Sequence, residues 1–419
     1  MRVTAGRMNG AVATPSPAHT AGVALFLLTA LNLFNFIDRY ILPGVQPLVQ
    51  KEFHVDDAQI GLLTTAFFFT YMLAAPITGW LGDRFPRKPL IIIGALLWSA
   101  ATLFTAVVHS YQTLLIRHAI VGIGEATFSI FAPALLADFY PERDRNRILS
   151  IFYVTIPVGG ALGYLTGGVL GQHYGWRMPF FIAALPGVLI ALGFWLFVRE
   201  PQRGSADSLA PTLNRATLRG LAHNPAFWAA TLGLAMWTFA VGGISTFLPT
   251  FFVRFAHMSV AKAGTVTGAV TVVDGLLGTI AGGWLGQLWL RRNSRALYLI
   301  SGWGSILAIP AAALVFFGPD SFFLPAAFVA EFFLFLGTGP LNAAIVNSVA
   351  APIRATAISI NLFVIHVLGD AFSPLLIGKI SDASNLRIGL SITIITLALS
   401  GIILFAGARH APLLNQPER

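Results

Sequence analysis

The chain has no cysteine among its 419 residues, and only 10% of them are charged. The first absence removes disulfides, zinc–thiolate sites and thiol nucleophiles, and it leaves the redox compartment unread. The second is more telling. Soluble domains carry roughly 25% charged residues, so this chain lacks the polar material for a wetted surface. A water-soluble enzyme, a disordered chain and a fibrous one are excluded. A phosphate-cradling loop of the Gly-x4-Gly-Lys-Ser/Thr type is also missing, which points to a gradient rather than a nucleotide as the source of energy.

What is present is apolar. Long hydrophobic runs recur at about 22–47, 58–82, 89–108, 112–138, 147–171, 178–198, 226–253, 262–289, 296–317, 322–349, 355–380 and 387–408. A spanning helix needs roughly 20 such residues. The runs are continuous, unlike the roughly ten-residue alternating segments of a membrane barrel. In lipid only helices and closed barrels satisfy every backbone group. The expected fold is therefore an all-α membrane protein of twelve transmembrane helices. The first run is too long for a cleaved signal peptide and lacks its flanks. A polar segment, 199–224, separates two sets of six helices, at 21–198 and 225–409, with a short surface helix expected at about 211–221. The tails, 1–20 and 410–419, are expected to be cytoplasmic, the first of them disordered.

Charge placement sets the orientation. With the N-terminus in the cytoplasm, 18 of the 26 Lys and Arg fall inside, among them Arg84, Arg87, Lys88, Arg291, Arg292 and Arg295. Only Lys51, Arg177, Arg254, Lys262, Lys379 and Arg387 fall outside, and Arg39 and Arg117 lie within spans. This is the positive-inside bias. It accounts for the net charge of +9 without a nucleic-acid partner.

The chain repeats itself. Gly79-Trp80-Leu81-Gly82-Asp83, followed by Arg84, Arg87 and Lys88, ends the second run. Gly283-Trp284-Leu285-Gly286-Gln287, followed by Arg291, Arg292 and Arg295, ends the eighth. Such internal symmetry is a signature of transporters, with the site at mid-membrane between the repeats. The first of these loops, with Gly171-x3-Gly175-Trp176-Arg177, resembles the major facilitator superfamily. A narrower resemblance, to the Spinster family of lysophospholipid and sphingosine-1-phosphate transporters, rests on several motifs. These are Asn35-Phe36-Ile37-Asp38-Arg39-Tyr40, Val121-Gly122-Ile123-Gly124-Glu125-Ala126, Leu149 to Tyr153 with Ile156-Pro157-Val158-Gly159, and His366 to Pro374. The resemblance implies two pseudo-symmetric six-helix bundles working by alternating access. It also implies an amphipathic lipid or other small-molecule substrate, protons as the coupling ion, no cofactor, no enzymatic activity, a monomer surrounded by membrane lipids, and the inner membrane if the source is bacterial. Where that family has Arg seven residues before the Glu of the fourth span, this chain has His118, with Arg117 beside it. Asp274 and Gln287 also depart from the pattern.

Ionisable groups within spans are expensive and usually mark pathways or proton relays. Asp38 and Arg39 are adjacent, so they cannot face each other on a helix and each needs its own partner. Asp38 either titrates or forms a structural ion pair; Arg39 faces another acid or a substrate phosphate. Glu125 has His118 two turns back on the same face, and burial and a nearby cation act on a carboxyl in opposite directions. It is either a proton site or a permanently neutral, hydrogen-bonded group. Asp38 and Glu125 are the expected proton-coupling pair. Arg39, Arg117, His118, Tyr153, Glu331 and Asp274 are the expected substrate contacts. Gly79, Gly82, Asp83, Arg84, Arg87, His366 and Asp370 are expected to gate. His366 and Asp370 share a face at i, i+4, which is too few ligands for a closed metal site.

Glycines recur every fourth residue at Gly159, Gly163, Gly167 and Gly171, and again at Gly278, Gly282 and Gly286. Small residues at this spacing let helices approach closely in lipid, either as ordinary packing or as a seam on which the halves rock. Phe67 to Phe69 and Phe332, Phe333 and Phe335 are expected mainly to pack or face lipid, with an acyl-chain wall as the minority role. The best reading is a proton-coupled transporter of a lysophospholipid or similar amphiphile. The alternatives are a transporter of a soluble organic anion or drug, and a non-transporting sensor or scaffold on the same fold.

Overall fold

The structure is a computed structural model that describes residues 17–140, 142–201, 220–349 and 353–412. The outermost tails and the expected surface helix of the linker lie essentially outside these residues. Among the described residues, twelve helices are long and apolar enough to cross a membrane. In the first half they are α1 Thr20–Phe53, α2 Asp57–Gly82, α3 Arg87–Val107, α4 Tyr111–Phe139, α5 Arg147–Tyr174 and α6 Met178–Phe197. In the second they are α7 Pro225–Phe255, α8 Val260–Leu290, α9 Ala296–Phe317, α10 Asp320–Asn347, α11 Thr356–Ala383 and α12 Leu386–His410. No strand occurs among the described residues.

Polar turn residues decide where the helices start. Asp56 and Gln59 form a reciprocal capping box at α2. Ser110, Asn224, Ser259 and Asn385 each accept from the third backbone N–H of the helix they precede. Such side chains satisfy donors that have no intrahelical partner. Three helices are interrupted partway: α5 at Val154, α10 at Gly337, and α11 in a wide π turn over His366–Asp370. Gly369 in that turn has φ −106° and ψ −109°. Gly175, at φ +88°, lets the chain turn after α5, so that Trp176 Nε1 (2.6 Å) and Arg177 both reach the Glu52 carboxylate at the end of α1.

The regularly spaced glycines pack within the halves. A Cβ at Gly163 would lie 2.6 Å from the Ile37 carbonyl oxygen of α1, and one at Gly282 would lie 1.8 Å from that of Leu336 in α10. The rocking-seam reading is therefore corrected: these stripes weld α5 to α1 and α8 to α10. Different glycines join the halves. A Cβ at Gly264 would fall 2.4 Å from the Tyr164 carbonyl oxygen, and one at Gly268 would fall 2.6 Å from that of Ala161, which makes the α5–α8 seam. On the other side, Gly61 meets Pro374 and Gly378 meets Asp57, at 2.2 and 2.3 Å on the same measure, which makes the α2–α11 seam.

A polar clasp closes the seam at the end where α2 begins. Arg254 of α7 donates from both terminal nitrogens to the Asp57 carboxylate at 2.7 Å, and to Gln50 at 3.0 Å. Ser381 of α11 donates to Asp57 at 2.5 Å. Asp382 accepts from the backbone N–H groups of Asp57 (2.9 Å) and Ala58 (2.8 Å). A carboxylate of one half thus caps a helix N-terminus of the other, where the helix dipole favours negative charge.

At the opposite end the first Gly-Trp-Leu-Gly loop is tied into its own half. Arg87 pairs with Asp138 of α4 and donates to the Ala134 carbonyl at 3.2 Å. Glu200 accepts from the backbone N–H groups of Arg87 and Lys88. Gly82 leaves room for Phe131, whereas a Cβ at Gly79 would meet nothing within 4 Å. Arg84 is exposed, over the Trp80 ring at 4.2 Å. The Asp83 side chain lies outside the described residues.

Candidate ion-pair site at mid-membrane

Two ion pairs tie α1 to α4: Arg39–Glu125 near the middle of both helices, and Asp38–Arg117 about two turns nearer the start of α4. Arg117 donates from Nη2 to Asp38 at 3.2 Å and to Thr102 of α3 at 2.9 Å, and from Nε to the Ala101 carbonyl at 3.2 Å. The Thr102 hydroxyl in turn donates to the second oxygen of Asp38. Arg117 also stands 4.9 Å from the Phe180 ring centroid. Both members of this pair are buried, at 2% and 4% exposure. Arg39, the neighbour of Asp38, turns to a different partner: its Nε and Nη2 donate to the same Glu125 oxygen at 3.1 and 2.5 Å. The expectation that the two adjacent charges take separate partners matches this arrangement.

The surroundings of the two pairs differ. Arg39 sits among Phe36, Phe67, Phe68 and Tyr71, with ring centroids 4.8–5.9 Å from its guanidinium carbon. Aromatic faces attract such a cation. Its side chain keeps 19% exposure while Glu125 keeps none. Arg39 leaves the second Glu125 oxygen uncontacted, and the amide of buried Asn35, one turn before Arg39, is a neighbour of that carboxyl. A void of about 40 Å³ borders Asp38, Arg39, Arg117, His118 and Glu125.

His118 does not pair with Glu125. Its Nδ1 lies 3.0 Å from the Leu114 carbonyl and its Nε2 lies 3.4 Å from Arg117. The two-turn spacing put His118 and Glu125 on one face, but Glu125 takes Arg39 of α1 as its partner and His118 turns to its own helix.

The cage reaches across the seam. His366 of α11 stacks on Phe68 (5.6 Å) and meets Tyr71 edge-on (5.7 Å). Its Nδ1 is 2.8 Å from Asp370, as the i, i+4 spacing anticipates. The wide turn in α11 therefore carries a His–Asp pair against the wall around Arg39. The other expected residues stand apart. Tyr153 is 45% exposed at the break in α5. Asp274 is buried with an unpartnered oxygen, and Glu331 lies within electrostatic reach of it. Neither has a cationic partner among the described residues. Sequence reasoning quoted Asn35 only as part of a motif and missed Thr102 and Phe180, whose residue types are common in spans and which only the contact with Arg117 distinguishes.

Two six-helix bundles, with charges buried in the first of them beside the seam, are the architecture of a membrane transporter. The major facilitator superfamily model matches residues 28–374, and the chain belongs to that superfamily and, within it, to the Spinster family. It is 34% identical over 387 residues to the "Sphingosine-1-phosphate transporter SPNS2" of Danio rerio, covering 86% of this chain and 76% of the relative. It is 33% identical over 396 residues to "Protein spinster homolog 1" of Homo sapiens, covering 88% and 74%. A crystal structure of a bacterial homologue of the human lysosomal transporter Spinster, inward-facing and unoccupied, superposes with a TM-score of 0.85 at 26% identity, covering 95% of this chain and 98% of that one. The chain is thus an integral, multi-pass membrane transporter of the Spinster type.

Proposed function

We propose that this transporter moves a single-chain amphipathic lipid of the lysophospholipid class, coupled to protons, with Arg39 and Glu125 as the exchanging pair. One observation carries the reading: a partly exposed Arg inside an aromatic cage at the junction of the halves, balanced by a single buried carboxyl. The pair is neutral as it stands. A proton on Glu125 would leave Arg39 without its counter-charge, and a substrate phosphate would supply it. Guanidinium offers a planar fork matched to phosphate oxygens, and the rings of the cage suit the adjoining chain. Proton and anionic headgroup then favour each other's binding, and by linkage the coupling is reciprocal.

Asp38 is the other expected proton site, but both its oxygens are engaged by Arg117 and Thr102. Glu125 keeps one oxygen that its Arg does not engage, so it takes the coupling role, and Asp38 holds Arg117 in place. Tyr153, Glu331 and Asp274 are assigned to the substrate path, and His366 with Asp370 to the gate. The positive-inside bias puts the basic loops and both termini in the cytoplasm, which makes the Asp57 clasp an external seal. The likeness to an inward-facing homologue supports this orientation. The sphingosine-1-phosphate named for the Danio rerio relative supports a phosphate-headed amphiphile.

The test is Glu125→Gln in proteoliposomes. The carboxamide keeps the shape but cannot release a proton at physiological pH. Gradient-driven flux should vanish while lipid binding persists and no longer varies with pH. Flux that still follows an imposed pH gradient in this variant would overturn the assignment.

A further inference from the structure

The two Gly-Trp-Leu-Gly loops use their basic residues differently. In the first copy each cation is occupied: Arg87 by Asp138, Lys88 by the Trp195 carbonyl at 2.7 Å, and Arg84 by the ring and carbonyl of Trp80. In the second copy Gln287 stands in the place of Asp83. Arg291, Arg292 and Arg295 there are exposed, with no acidic partner among the described residues.

Arg291 and Arg292 stand at the mouth of a groove of about 580 Å³ between α8 and α9. Leu285, Leu288 and Trp289 line one wall at i, i+3, i+4 spacing, which places them on one face of α8. Trp303 forms the facing wall, and buried Ile300 and Leu336 form the floor. The walls are open, with Leu285, Leu288 and Trp303 exposed by 40%, 42% and 49%. Apart from the two guanidinium groups at its mouth, the groove is lined by apolar and Trp side chains. A water-soluble anion would find partners at the mouth and none within. A chain of CH₂ groups would find walls along the groove, and Trp at a membrane–water boundary is where the chain-to-headgroup transition lies.

We propose that this groove binds an anionic phospholipid of the bilayer, its phosphate on Arg291 and Arg292 and one acyl chain lying between Trp289 and Trp303. A zwitterionic lipid carries its own cation beside the phosphate and gains less from two guanidinium groups. The site lies on residues separate from the Arg39 pair and does not depend on the transport reading.

Native mass spectrometry of the purified full chain with equimolar phosphatidylglycerol and phosphatidylcholine of the same chains tests it. Wild type should prefer phosphatidylglycerol, and each Arg near a membrane surface contributes about a fivefold factor. Arg291→Gln with Arg292→Gln should bring the ratio close to one. Leu288→Trp fills the groove without touching charge and should also reduce phosphatidylglycerol adducts, with thermal unfolding confirming that each variant folds. Arg409→Gln, which removes an exposed charge elsewhere, should leave the ratio unchanged. Equal binding of the two lipids by wild type would overturn the proposal, as would a preference that survives the Arg pair's removal. A preference that survives Leu288→Trp, or displacement of the lipid by soluble glycerol phosphate, would show a headgroup-only site and overturn the groove assignment.

Discussion

The two halves share one fold but keep their intramembrane carboxyls in opposite ways. In the first half Asp38 and Glu125 each hold an Arg of their own. In the second, Asp274 and Glu331 have no cation among the described residues, and Asp370 has only His366. A buried ion pair is a fixed object, since removing either member strands the other charge. A carboxyl with no counter-ion in the protein must take its balance from outside, as a proton or a cationic group. The first half thus resembles a wall with one openable pair, and the second a set of sites awaiting a partner.

The largest expected effect tests that contrast directly. Asp38→Asn leaves Arg117 charged, buried and unpaired, and should cost about 3–5 kcal/mol of stability or abolish expression. Asp274→Asn strands nothing and should stay within about 1 kcal/mol. Unfolding of the two variants in the same detergent decides, and equal losses would erase the distinction between the halves.

A smaller effect sharpens the role of the openable pair. Arg39→Lys keeps the charge but loses the fork, so a phosphate-headed lipid should bind roughly tenfold more weakly, about one charge-assisted hydrogen bond. A neutral-headed amphiphile of equal chain length should change much less. Binding of both lipids to purified wild type and variant measures this, and equal losses would remove Arg39 from the headgroup site.

The smallest effect concerns the clasp that holds the halves together. Arg254 is 37% exposed at its side chain, so solvent screening limits its pair with Asp57 to about 1 kcal/mol or less. Arg254→Gln should shift the distance distribution between spin labels across that end toward separation by no more than a few-fold in population. The absence of native Cys makes such labelling direct. An unchanged distribution would show that the glycine seams and the Ser381 and Asp382 contacts suffice to keep that end shut.

The helices were legible in the sequence because hydropathy and polar caps act locally. The separate partners of Asp38 and Arg39 were legible too, because adjacent positions on a helix diverge. The glycine stripes misled at one point. Their spacing reports close approach, and Gly163 and Gly282 do make it, but spacing cannot say which helix is approached. Gly264 and Gly268, which do join the halves, show the same four-residue spacing, and Gly61 stands alone, so the spacing does not separate the two kinds of contact. His118 misled for a related reason: it shares a face with Glu125, yet the carboxyl is paired by a cation from another helix.

The sequence alone determined that the chain spans a membrane twelve times as helices, since lipid offers no other way to pair so many backbone groups. Its repeat and its charge bias determined two halves and an expected orientation. The tertiary structure decided which charge meets which: Asp38 with Arg117, Arg39 with Glu125, Asp57 with Arg254. The physical reason is geometric. Each residue turns the helix by about 100°, so a pairing between helices depends on rotation and register, which are set by packing against every neighbour at once.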